Sequence, residues 1–235
     1  MSTPAIVHLV FPTPYLMSAS LLRFQESYES PKFRGNTKFS LEEFMDWYAT
    51  SKGGRFSYFD DWSGFNFPGY ILQGFGPDEN LGMKEKAVRN AVYQAAFSRG
   101  LDPSSVYVLG TPEKARMDLL SHEVVHALFY LYPDYADQVK RLCRKHAHTL
   151  KPMHHWLKTV SGYHKTVWDD ETNAYLVTGL PGDSSVEVIS NLRPLFKTLL
   201  TDHFSMKLSD LKDEKWLKKH VHRISMKAPL RKIRY

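Results

Sequence analysis

A chain of 235 residues with 43% hydrophobic side chains can bury one substantial core or two small ones and needs no covalent staples. Its single cysteine, Cys143, excludes an internal disulfide framework and a Cys-rich metal knuckle, so any bound metal must rely on His and carboxylates. The net charge of +6 is local: from Met206 to Tyr235 ten Lys and Arg stand against three Asp and Glu, which leaves the remainder close to neutral.

No stretch approaches the roughly 20 apolar residues that span a bilayer. The N-terminal "MSTPAIVHLVFPTPYL" lacks a basic region before its apolar run, and Pro12 and Pro14 interrupt that run, so no signal peptide is expected. The sequence predicts a cytoplasmic protein without a membrane partner.

"AIVHLVF" predicts a first strand, and "SASLLRFQESYES" a helix that ends before Pro31 and Gly35. "FSLEEFMDWYATSKGG" predicts a helix capped by Ser40, with Glu43 completing a capping box, Phe39 stapling to Phe44, and Gly53 or Gly54 as its stop. The aromatic segment from Phe56 to Phe75 carries Asp, Gly and Pro punctuation that predicts strand and loop. Its rings serve the core or, as an exposed strand, a substrate groove. "MKEKAVRNAVYQAAFSRG" predicts a helix stopped by Gly100, and "SSVYVLG" a short buried strand. A further helix is expected from Thr111 as cap, with Pro112 and Glu113 in its first turn, to about Tyr132. Helices then follow over 134–146, 152–161, 169–177 and 184–203, the last kinked at Pro194. This order predicts an α+β fold: a small N-terminal mixed sheet with helices, packed on a helical C-terminal half. Residues 1–205 form a single domain in this reading, and 206–235 a basic C-terminal extension.

The helix predicted over "MDLLSHEVVHALFYLYPDY" contains His122, Glu123 and His126 as His-Glu-x-x-His. Residues four apart share a helix face, so the two imidazoles can converge on one cation. Glu123 lies about 100° further round, suited to act as general base on metal-bound water. Such a triplet arises by chance in on the order of one chain in a hundred of this length, so context decides. Here the motif sits within a predicted helix, behind a strand, and Val124 and Val125 between the ligands suit burial.

A catalytic zinc takes three protein ligands and keeps one open position. The best downstream source is "YHKTVWDDETNAYLVTG", where Glu171 begins a Glu-x-x-Ala run and Ala174 is small enough to admit a close helix. From Asp118 to Thr178 the sequence resembles the gluzincin-type metallopeptidases. That resemblance implies Zn2+ bound by His122, His126 and Glu171, with Glu123 as general base. The substrate is not inherited from it; the metal-assisted hydrolysis these roles describe is expected to act on a peptide or protein. Asp169, Asp170 and His164 stand close enough in sequence to replace Glu171 as third ligand, Asp170 and His164 being the main alternatives. His164, Tyr163 and Tyr175 are candidate oxyanion stabilisers by their proximity to Glu171, and Asp118 and Asp170 are candidates to orient the ligand imidazoles. The pair His154 and His155 and the run "RKHAH" read as solvated polar faces, and Cys143 has no paired His to make it a nucleophile. An alternative function follows from the tail: a nucleic-acid-associated or scaffolding protein with a structural or degenerate metal site, binding nucleic acid or an acidic partner through its basic C-terminus.

Overall fold

The computed structural model describes residues 5–227. Strand β1 (Ile6–Phe11) is apolar and buried throughout except for His8, which is buried but polar. The Thr13 hydroxyl accepts the Leu16 N–H at 3.1 Å and starts α1 (Pro14–Glu29), with Pro14 in the first turn, where no N–H is needed. Helix α2 (Leu41–Ser51) begins at the expected cap: Ser40 Oγ accepts the Glu43 N–H at 3.0 Å, which is the Ser40 half of the expected capping box. Behind it the Phe39 and Phe44 rings lie 6.3 Å apart.

The aromatic segment contains strand β2 (Phe65–Pro68), but also two short helices that the expected strand and loop did not include, α3 (Tyr58–Asp61) and α4 (Tyr70–Gly74). The Ser57 carbonyl accepts the N–H groups of Asp60 and Asp61, and acidic residues in a first turn complement its exposed N–H groups. Helix α5 (Met83–Phe97) precedes a turn at Gly100, whose φ of 68° favours glycine. Strand β3 (Tyr107–Pro112) then corrects the expected helix cap at Thr111. Thr111 and Pro112 are strand residues, the Thr111 hydroxyl is engaged by His8 at 2.8 Å, and α6 (Met117–Leu131) starts one turn later.

Helices α7 (Pro133–Lys145), α8 (Lys151–Thr159) and α9 (Trp168–Thr178) follow. The single kinked helix expected over 184–203 is instead α10 (Ser184–Glu187), a 3-10 turn (Ser190–Leu192) and α11 (Arg193–Phe204). Pro194 opens α11 rather than kinking it, since proline fits a first turn better than a helix interior. A 3-10 turn (Leu208–Lys212) leads into α12 (Glu214–His220) and β4 (Val221–Ser225).

The fold is α+β, with a four-stranded mixed sheet in the order β2-β3-β1-β4. Strand β1 runs parallel to β3 and β4, and β2 pairs antiparallel with β3. Because side chains alternate across the pleat, Ile6, Tyr107, Leu109 and Val221 join the core built with α6 to α12. On the opposite face Val7, Leu9, Phe65, Phe67 and Val108 join the aromatic core beneath α1, α2 and α5. Gly110 permits that layer to close, since a Cβ there would stand 2.2 Å from Leu21 Cδ1 on α1.

Strand β4 also alters the organisation expected from sequence. The sheet is not wholly N-terminal, and residues 221–225, assigned to a basic extension, form its edge beside β1. Part of that segment's charge is matched internally, by ion pairs of Lys212 with Asp118 and Lys218 with Glu214. Residues 228–235, the end of the expected binding tail, lie outside the described residues. Among the described residues no helix is long and apolar enough to cross a membrane.

Candidate metal centre

Helix α6 lies on the sheet with Val124, Val125 and Ala127 fully buried, and α9 packs against it through Ala174, which is also fully buried. A small residue at this crossing lets the two backbones approach, which places Glu171 opposite the face of α6 that carries His122 and His126. The imidazole centroids stand 4.8 Å apart. Glu171 Oε2 lies 3.9 Å from His122 Nε2, and Oε1 lies 3.8 Å from His126 Nε2. One ligand atom from each of the three residues falls within 4.8 Å of the others. Around a metal bonded at about 2.1 Å, tetrahedral ligand atoms stand about 3.4 Å apart, so binding draws Glu171 in by about half an ångström on each imidazole and closes the widest pair of the group by up to about 1.4 Å.

A hydrogen bond at His122 and an ion-pair contact at His126 turn the other ring nitrogens inward. Thr178 donates its hydroxyl to the Ala174 carbonyl at 2.7 Å, so its oxygen accepts from His122 Nδ1–H at 3.1 Å. His122 thereby keeps its Nε2 lone pair for the site. His126 Nδ1 faces Asp170 Oδ1 at 3.0 Å, which likewise turns Nε2 toward Glu171. Asp170 therefore stands behind the His126 ring, while Glu171 faces both inner nitrogens. Asp118, the other orienting candidate, points elsewhere and pairs with Lys212 and Arg116 on the surface.

Burial works against a charged His126, but Asp170 and Glu171 outweigh it and push its pKa up to about 10. Burial and the neighbouring His126 hold His122 well below the usual imidazole range. Burial also raises the carboxyls of Glu123, Asp170 and Glu171, against the attraction of His126. Glu171 Oε2 is buried without a hydrogen-bond partner. Three buried carboxyls beside two imidazoles favour added positive charge, and His122, His126 and Glu171 can hold a metal ion. A donor set of two nitrogens and one carboxylate suits a first-row transition metal or zinc, and has too few oxygens for calcium.

Glu123 is 4% exposed and lies beside this cluster, its Oε2 accepting from Asn66 Nδ2 at 2.8 Å. The cluster opens into a cleft of about 350 Å³, where His122, Glu123 and His126 meet Trp62, Tyr163 and Tyr175. The Tyr175 ring stands 4.7 Å from that of His122, and the Tyr163 ring 5.6 Å from that of Trp62. Burial, reinforced by nearby carboxylates, raises both phenols above their ordinary value, so both remain O–H donors at neutral pH.

His164 does not join them. Its Nδ1 contacts the Thr166 hydroxyl at 2.9 Å and caps the 3-10 turn over Lys165–Val167, and it is neither in the His122, His126 and Glu171 group nor among the residues that line the cleft. Trp62 from the aromatic segment lines the cleft, whereas Tyr58, Phe65 and Phe67 are core. Asn66 and Thr178 were not singled out from sequence. Thr178 had a signal, since it follows Glu171 by seven residues and so shares its helix face. Asn66 had only the oddity of a polar residue between two phenylalanines. No protein-family model, curated protein or solved structure matches the chain.

Proposed function

We propose that the chain is a zinc-dependent peptidase in which His122, His126 and Glu171 hold the metal and Glu123 is the general base. The observation that carries this reading is the convergence of His122 Nε2, His126 Nε2 and the Glu171 carboxylate beside the Glu123 carboxylate, at the floor of an open aromatic cleft. Zinc, when bound, supplies a Lewis acid that brings the pKa of water toward neutrality. Glu123 takes the proton of the attacking water on a carboxylate oxygen and later delivers it to the leaving nitrogen. Raised by burial, its carboxyl is a better proton carrier than a solvated glutamate. Tyr175 and Tyr163 are the O–H donors lining the cleft from which the developing oxyanion takes a hydrogen bond. Trp62 and Trp156 provide apolar walls for substrate side chains and limit the entry of bulk water.

Metal analysis of the purified chain is expected to give about one zinc per molecule. A Glu123→Gln variant is expected to retain that zinc while losing cleavage of a quenched fluorogenic peptide library. Cleavage by the variant at the parental rate, or absence of a stoichiometric metal under metal-replete conditions, would remove this reading.

A further inference from the structure

We infer that Asn66 is a positioning residue for Glu123: it ties one carboxylate oxygen to the sheet and leaves the other free at the cleft. This inference rests on the assignment of Glu123 as base. Asn66 sits on β2, 6% exposed, and pairs with Leu109 of β3. Its side chain reaches the sheet face on which α6 lies, where Nδ2 donates to Glu123 Oε2 at 2.8 Å. The amide orientation is fixed from behind. Tyr107, fully buried on β3, donates its hydroxyl to Asn66 Oδ1 at 2.5 Å, so the NH2 end must face the carboxylate. The backbone is held as well, since Gln25 Oε1 on α1 accepts the Asn66 N–H at 2.8 Å.

The second oxygen is treated differently. A Cβ built on Gly64 would stand 2.3 Å from Glu123 Oε1, so the chain runs past this oxygen at a position with no side chain. A glutamate on its own two-carbon stem would sample several rotamers. Here Oε2 is bound through the path Tyr107, Asn66, Glu123, and Oε1 is the oxygen presented for proton transfer. The path links β3 and β2 to α6, so the base takes its position from the sheet as well as from its own helix. Catalytic groups held in this way avoid the reorganisation that a loose group undergoes at each turnover.

The test uses the full-length, zinc-loaded chain, with Glu123→Gln as reference and Asn66→Ala, Tyr107→Phe and the double variant as probes, on the fluorogenic peptide library. Asn66→Ala is expected to keep its zinc and its KM and to lose kcat by about 10 to 100-fold, the effect of a displaced catalytic group. Tyr107→Phe leaves the ring in the core and should lose kcat by up to about tenfold, as for one hydrogen bond. The double variant should be no worse than Asn66→Ala, because both act on one carboxylate. A crystal structure of zinc-loaded Asn66→Ala should show the Glu123 carboxylate moved from its parental position. The inference is overturned if Asn66→Ala or Tyr107→Phe turns over like the parent while Glu123→Gln is dead, if the two losses multiply, or if the Glu123 carboxylate stays in place. Should Glu123→Gln itself remain active, there is no base to position, and this inference falls together with the peptidase reading. If Asn66→Ala fails to fold, Tyr107→Phe decides.

Discussion

Gly64→Ala adds one methyl group at the point where the chain passes Glu123. The backbone conformation there is open to any L-residue, since Gly64 is not among the positions of positive φ, so the cost is purely one of space. The new Cβ would meet Glu123 Oε1 at 2.3 Å and Leu119 Cδ1 at 3.0 Å. The Leu119 methyl can rotate away. The carboxylate cannot withdraw freely, because Asn66 holds its other oxygen within a side chain that is 4% exposed. Overpacking of this kind costs about 1–3 kcal/mol. For a chain of this size that lowers Tm by about 2–12 °C. Thermal unfolding by circular dichroism, zinc content and peptide turnover should show reduced stability and reduced kcat with zinc retained. On a Glu123→Asp background the carboxylate is one methylene shorter and withdraws from residue 64, so the stability loss on adding Gly64→Ala should shrink by at least half. If the losses are instead fully additive, or if Gly64→Ala unfolds and turns over like the parent, the carboxylate is not held as described.

Asp170→Asn removes the charge that faces His126 Nδ1 and should weaken zinc binding about 10 to 100-fold in competition with a chelator, whereas Asp169→Asn should stay within about twofold of the parent. His8 is buried and carries a pKa lowered from 6.5 to about 4, first by burial and then by Arg223. Its protonation therefore favours the unfolded chain, and the stability that neutral His8 contributes is present above 6.5 and lost as pH falls toward 4. The loss reaches up to about 3 kcal/mol, and denaturant titrations of His8→Gln should be flatter than the parent's across that range. Glu26 shows the opposite case: burial raises its pKa from 4.5 to about 7, against the hydrogen bond from Tyr58, so the folded state is progressively disfavoured as pH rises above 4.5. Glu26→Gln keeps an acceptor for Tyr58 and should be more stable than the parent by up to about 3 kcal/mol near pH 8, with little difference near pH 4.

Much of the fold was legible because the signals are local. The cap at Ser40, the glycine stop at Gly100 and the apolar runs of β1 and β3 involve residues within a few positions of one another. The misplacements arose where distant partners decide. Thr111 is a good helix cap by type, yet it is drawn into β3 by pairing with Val10 and by contact with His8, 103 residues earlier. Likewise the basic composition of 206–235 gave no sign that Val221 and Ile224 would pair with Ile6 and Leu9 at the sheet edge.

The same division runs through the candidate site. His122 and His126 are one helical turn apart, so their convergence follows from backbone geometry alone. Glu171 could be selected because the small Ala174 marks a face on which two helices can meet closely. Asp170 beside it was one of several acids within reach, and only the packed structure separates its place at His126 Nδ1 from that of Glu171 at the inner nitrogens. Asn66 is 57 residues from Glu123 in sequence and comes to it only through the antiparallel register of β2 on β3, in which Asn66 faces Leu109. A one-residue slip of that register would turn Asn66 to the opposite face and bring Phe65 or Phe67 toward α6. The phenylalanines on either side are therefore part of the site's construction. Their burial in the opposite core fixes the register, and that register delivers the Asn66 amide to the Glu123 carboxylate.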